Sequence, residues 1–323
     1  MLYGLLTYEE GPGYYNLGDH VQSLAARQYL PRVDALLNRE HLANYSGPPI
    51  KLIMNGWFTH NAAKWVPSPS IIPHFVSFHV NSSAADRILS QQGVEYLRKH
   101  SPIGCRDHHT VSLLRAKGIE AYFTGCLTLT LSNYANVNPA RRETILVDPF
   151  FNLPSLQRIL VSPRGFLRSL AKGDILRLGR RRQLLQRAFT KDSLASMARI
   201  TQELPSIGES DKLRFARAEA CLRRYAEAQL VVTSRIHCAL PCLAMGTPVI
   251  FLNAFDSFVD TCRFDGLLEL FNRIDFSAQG EPKTNISTIC PLNEVVVLTN
   301  PNKHLALAEK LRESCVRFIH ETH

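Results

Sequence analysis

No apolar stretch in this sequence reaches the roughly 18 residues that a membrane-spanning helix needs, which argues against a transmembrane anchor. The opening residues, Met1 to Thr7, lack the basic flank of a secretory signal and read as a first β-strand, so the expected location is the cytoplasm. The eight cysteines include no C-x-x-C pair, which argues against a zinc site or a disulfide framework. Cys238 and Cys242 are spaced as helix neighbours in an apolar run and read as small core residues. Glycine is present, but both phosphate-cradling patterns, G-x-G-x-x-G and the P-loop, are missing. Sequence repeats and low-complexity tracts are missing as well.

What the chain does hold is a globular composition, 45% hydrophobic and 20% charged. Its 323 residues exceed one ordinary core and suggest two lobes. The net charge of +9 suits an anionic partner. Much of that excess lies in Arg164, Arg168, Lys172, Arg177, Arg180, Arg181, Arg182 and Arg187, opposed only by Asp174. Aromatic side chains do not alternate regularly with these arginines, so a nucleic-acid partner is not expected. A solvated helical face remains, or a peripheral contact with anionic lipid headgroups at the inner membrane face.

Short apolar runs alternate with amphipathic stretches. Strands are expected at 3–8, 51–54, 75–79, 103–106, 121–123, 144–147, 230–233 and 248–252. Helices are expected at 19–29, 83–100, 108–117, 191–203, 211–228, 235–245 and 303–319. This alternation implies an α/β fold with mostly parallel sheets. A polar, turn-rich run around 132–142 places the division between a lobe of residues 1–140 and one of 141–323, with the last helix able to pack back on the first lobe.

In open α/β sheets ligands bind beyond the carboxyl ends of the strands, so residues just after a strand matter most. The run Ser234-Arg235-Ile236-His237 follows one strand and opens a helix. Ser234 is the expected N-cap. Arg235 and His237 then stand in the first turn, where free amides and the helix dipole favour an anion. Pro241 cannot donate to the carbonyl of residue 237, so the helix should be loosened there. Arg106-Asp107 ends another strand, with Asp107 as the expected cap of its helix and Arg106 as a second anion clamp. Tyr14-Tyr15-Asn16-Leu17-Gly18-Asp19, with Gly11 and Gly13 before it, forms a turn through which backbone can approach a ligand, and Asp19 either caps its helix or serves as a base. Asn55-Gly56-Trp57 and Ser77-Phe78-His79 are fainter candidates at strand ends.

Together these pieces resemble the polysaccharide pyruvyl transferase family. Asn16-Leu17-Gly18-Asp19 is similar to its N-x-G-D element, Cys105-Arg106-Asp107 to its central R-D strand end, and Ser234-Arg235-Ile236-His237 with Gly246-Thr247-Pro248 to its S-R-[LI]-H … G-x-P signature. The resemblance implies two Rossmann-like lobes in a GT-B-like arrangement, with the first lobe on the acceptor side and the second on the donor side. It implies an enzyme that moves the pyruvyl group of phosphoenolpyruvate onto a sugar of a polysaccharide or lipid-linked glycan, with no metal or other cofactor. His237 and Asp19 would be catalytic. Arg235, Arg106, Ser234, Ile236, Asn16, Gly18, Asn55 and His79 would bind substrate. Gly125-Cys126-Leu127 departs from the family's commoner D-P, and Asn55-Gly56-Trp57 from its glycine-rich turn, both on the acceptor side. Two rival readings are a GT-B glycosyltransferase using a nucleotide-sugar and a noncatalytic glycan- or anion-binding member. No clear acidic pair or E-x7-E pattern near the second lobe's strand ends supports the first, and the intact Arg235 and His237 oppose the second.

Overall fold

The computed structural model describes residues 1–8, 14–58, 65–135, 143–154, 166–167, 169–170, 175, 178–254, 261–293 and 298–321. They form the expected two-lobed α/β architecture. The first sheet contains β1 (Leu2–Thr7), β3 (Ala35–Asn38), β4 (Ile50–Phe58), β5 (Ile71–Val80), β6 (Ile103–Cys105) and β7 (Ala121–Phe123). Its order is β3-β1-β4-β5-β6-β7, with every pairing parallel. The second contains β8 (Thr144–Val147), β9 (Ala198–Ile200), β11 (Leu230–Thr233), β12 (Val249–Asn253), β13 (Asn272–Phe276) and β14 (Pro282–Thr284). Its order is β14-β13-β12-β11-β8-β9, antiparallel only at the β13–β14 edge. Strand order reverses between β1 and β4 in one sheet and between β8 and β11 in the other. Such reversals open a crevice at the strand ends.

A third, two-stranded ribbon joins the lobes: β2 (Tyr14–Asn16) pairs antiparallel with β10 (Glu203–Pro205). Beside it the amide of Leu17 donates to the carbonyl of Gln202 at 2.8 Å. One hydrophobic core runs through both lobes, from Leu5, Val21 and Ile53 to Val231, Leu240 and Phe251. Cys238 and Cys242 are fully buried in it with free thiols.

Helices α1 (Leu17–Arg27), α2 (Ala85–Ile88), α3 (Gln91–Lys99), α4 (His108–Ala116), α5 (Arg180–Ala188), α6 (Lys191–Ser196), α7 (Asp211–Glu227), α8 (Ile236–Ala244) and α9 (His304–His320) cover the sheets. Two expected helices differ. The stretch 83–100 is broken, because the Ser90 side chain caps a fresh helix at the Gly93 amide. The stretch 191–203 stops at Ser196 and turns into β9 and β10, since pairing with β8 and β2 outweighs helical spacing.

The carboxyl end of α9 is fastened to the first lobe. Lys51 of β4, 1% exposed, donates its Nζ to the carbonyls of Phe318 (2.5 Å), Ile319 (3.2 Å) and Glu321 (2.6 Å). A cation thus serves carbonyls that the helix leaves unpaired at its negative end. Among the described residues no helix is long and apolar enough to cross a membrane.

Candidate functional site

At the second reversal, β8 runs into Asp148 and β11 into Ser234 and Arg235. Asp148 has a left-handed φ of 40°, a conformation costing on the order of 1 kcal/mol or more for a non-glycine residue. Its Oδ2 accepts from the Arg235 Nε at 3.1 Å and from the Gln202 amide at 2.9 Å. The Arg235 guanidinium lies 4.0 Å from the Phe151 ring centroid, a cation–π contact. Its aim is therefore set by a carboxylate on one side and an aromatic face on the other.

Ser234 is not the cap of α8. Arg235 holds that position without a side-chain cap bond. The Ser234 hydroxyl instead donates to the Leu252 carbonyl at 2.8 Å and accepts from the Phe150 amide at 2.9 Å, tying three strand ends together. With both bonds internal and no exposure, Ser234 holds the turn and does not face the cleft. Ile236, 2% exposed, lies in the shared core.

Pro241 stands inside α8, as expected, and leaves the His237 carbonyl without its helical donor. The side chain of Gln202 supplies one at 3.2 Å. The opposite lobe closes in at the same point: a Cβ built on Gly18 would stand 3.2 Å from the His237 Cβ, tighter than most real contacts. Any side chain at Gly18 would push against His237. Asn16, not Asp19, caps α1 by accepting from the Gly18 amide at 3.1 Å. Asp19 lies in the first turn, where its carboxylate accepts from Gln22 and acts electrostatically on Arg263.

From the first lobe come Arg106, Asp107 and His79. Asp107 caps α4 as expected, accepting from the Thr110 amide at 2.8 Å. It also binds the His79 Nδ1 at 2.6 Å through its other oxygen. A bulge in β5 directs His79 there. Between the Met54–Phe75 and Gly56–Phe78 pairs, β5 carries an extra residue, and Ser77 takes a φ of 56°. Phe75 and Phe78 consequently share one core despite their odd spacing, and His79 turns to the other face. Asn55 donates to the Gln22 carbonyl at 2.9 Å and so lies under α1.

Sequence reasoning missed two contributors, Asp148 and Arg263. Asp148 satisfies the strand-end rule; Arg263, in the 3-10 turn Thr261–Phe264, follows no strand and carries no such signal. The Arg263 guanidinium lies 4.9 Å from the Phe264 ring and 5.8 Å from that of Phe151.

These groups form one electrostatic cluster. Burial, followed by the charges of Arg106 and Arg235, lowers the Arg263 pKa to about 10. Burial first, then Arg106, Arg263, Arg235 and His79, holds His237 well below the usual histidine range. Burial and then Arg106 push His79 down to about 4, against the opposing pull of Asp107. Burial alone would raise the Asp107 carboxyl, but the His79 hydrogen bond and the Arg106 charge outweigh it and keep it below its ordinary value. Buried Nε atoms of Arg106 and Arg263, Nη2 of Arg235 and Nε2 of His79 and His237 all lack hydrogen-bond partners among the described residues. Such groups are costly to bury without hydrogen-bond partners, and here they gather in one electrostatic cluster.

Three members of the arginine-rich stretch bond within their own lobe. Arg180, Arg181 and Arg187 of α5 donate to the carbonyls of Ala278, Phe150 and Gln279 in their own lobe. Arg164, Arg168, Lys172 and Arg177, like Gly11 and Gly13, lie outside the described residues.

A family model described as polysaccharide pyruvyl transferase matches residues 16–256. No curated protein matches the chain. A solved structure of a protein of uncharacterised function from Klebsiella pneumoniae subsp. pneumoniae is 14% identical, with a TM-score of 0.41, over 82% of this chain and 88% of its own.

Proposed function

Since the chain belongs to the polysaccharide pyruvyl transferase family, we propose that its cleft takes phosphoenolpyruvate as donor and transfers the pyruvyl group to a sugar as a ketal. The acceptor is a hydroxyl pair on a polysaccharide or lipid-linked glycan. One observation carries this reading: Arg106, Arg235 and Arg263 all act electrostatically on His237, and each keeps a buried nitrogen with no hydrogen-bond partner among the described residues. Phosphoenolpyruvate has a carboxylate and a phosphate, and guanidinium forks suit both groups.

The reaction divides among the residues as follows. Protonation of the methylene carbon makes C2 electrophilic, and one sugar hydroxyl adds there, losing its proton. The C2–O bond to phosphate then breaks and the second hydroxyl closes the ketal, its proton replacing the one given to the methylene carbon. Phosphate leaves with one proton. The arginines hold the donor and stabilise the charge that accumulates on phosphate as it departs. His237, within electrostatic reach of all three, exchanges a proton with the donor or binds its phosphate. Asp148 and Gln202 keep Arg235 and His237 in position.

The test is incubation with phosphoenolpyruvate and candidate glycans. The expected products are free phosphate and a glycan heavier by about 70 Da, the mass of pyruvate less water. Saturable binding of a nucleotide-sugar with no binding of phosphoenolpyruvate would overturn the assignment in favour of glycosyl transfer.

A further inference from the structure

We infer that His79 is a catalytic base of this site and that Asp107 is its positioning residue, the inference resting on the pyruvyl-transfer reading above. Geometry fixes the tautomer. An ionised Asp107 only accepts hydrogen bonds, so the His79 Nδ1 at 2.6 Å from it must carry the proton. Nε2 is then a bare lone pair. It is fully out of solvent, has no hydrogen-bond partner among the described residues, and lies within the electrostatic reach of His237 and Arg106.

The carboxylate itself is held rigidly. Its Oδ1 accepts both the amide and the hydroxyl of Thr110 at 2.8 Å, and that hydroxyl accepts in turn from the Val80 amide at 3.1 Å. Asp107 is fully buried and His79 is 1% exposed, so the pair cannot swing out to water. A helix cap alone does not require the second carboxylate oxygen to grip an imidazole. The β5 bulge that keeps Phe75 and Phe78 in one core also turns His79 to the opposite face. Carboxylate, imidazole and an unengaged Nε2 form the arrangement by which a side chain takes a proton from a hydroxyl.

In the transfer, Nε2 accepts the proton that the attacking hydroxyl loses as its oxygen bonds to C2. The imidazolium formed is stabilised by Asp107 and returns that proton to the departing phosphate. Burial and the charges of Arg106 and Arg263 oppose protonation of the ring in the free protein. The donor's negative charge offsets them. His79 is thus a strong base only when phosphoenolpyruvate is in place, which suppresses proton uptake without a donor.

The experiment uses full-length protein, phosphoenolpyruvate as probe and water as acceptor, so that the products are pyruvate and phosphate. His79→Gln is expected to lower phosphate release by about 100-fold or more while the donor dissociation constant changes less than about threefold. Asp107→Asn, which keeps a capping oxygen, is expected to lower it by about tenfold or more and to move the acidic limb of the rate profile. Nitrogen-15 NMR of the unaltered protein, which depends on no variant folding, should show His79 Nε2 unprotonated at neutral pH and titrating at higher pH once phosphoenolpyruvate is added. An Nε2–H tautomer, or His79→Gln releasing phosphate at the unaltered rate, overturns the base role alone. Unaltered protein that neither binds phosphoenolpyruvate nor releases phosphate from it overturns the donor assignment, and the base role with it.

Discussion

Pro241 deprives the His237 carbonyl of its helical donor, and Gln202 replaces that donor with a side-chain amide 3.2 Å away. The same Gln202 donates its backbone amide to Asp148, and its carbonyl accepts from the Leu17 amide. One residue therefore connects the proline-loosened helix, the carboxylate that aims Arg235, and the first lobe.

Replacing Gln202 with Leu leaves a buried carbonyl unmatched, and the expected loss is about 1–3 kcal/mol of unfolding free energy by urea denaturation. Adding Pro241→Ala restores a donor within the helix. The double variant should recover part of that loss, and a strictly additive result would show that the two sites do not communicate.

Arg263 has no ion-pair partner among the described residues, and its guanidinium lies over the Phe264 and Phe151 rings. Removing its charge with Arg263→Met should weaken phosphoenolpyruvate binding by about 10- to 100-fold, the scale of one charge-assisted hydrogen bond. Calorimetric titration measures this. Unchanged affinity would remove Arg263 from the donor site.

Donor affinity should fall as pH rises. In the free protein the charges of Arg106, Arg263, Arg235 and His79, added to burial, hold His237 neutral well below its ordinary range. A bound anion offsets those charges and raises the His237 pKa. Between the lower free value and the higher bound value the complex holds a proton that the free protein lacks. Binding therefore takes up a proton in that window, and each pH unit weakens it by up to about tenfold. Calorimetry in buffers of different ionisation enthalpy reads the uptake directly, and His237→Gln should reduce it.

Much of this site could be read from strand ends. Arg106, Arg235 and His237 follow apolar runs whose parallel pairing places each beyond the carboxyl edge of its own sheet. The rest depended on contacts distant in sequence. Ser234 is a good capping residue by local rules, yet the Leu252 carbonyl and the Phe150 amide claim its hydroxyl. Met197 to Pro205 carries helical spacing, but β8 and β2 draw its residues into strands. The bulge that aims His79 depends on the register of β4, which no single run of residues encodes. Arg263 is brought in by a short turn with no periodicity.

Lys51→Met should free the terminal carbonyls of α9 and cost about 1–3 kcal/mol of stability. Hydrogen exchange should localise the effect, with faster exchange confined to α9 and little change at the arginines. An unaltered exchange rate in α9 would mean that its carboxyl end is held by packing alone, for instance the stacking of His74 on Phe318.

The β2–β10 ribbon lies against Arg235 and His237, since Glu203 comes within 3.6 Å of Arg235 and Gln202 reaches His237. A jaw gapes widest far from its joint. Rocking of one lobe on the other about this ribbon would leave Gly18 pressed to His237 and part the far rim, so large molecules would come and go on the side away from the seam.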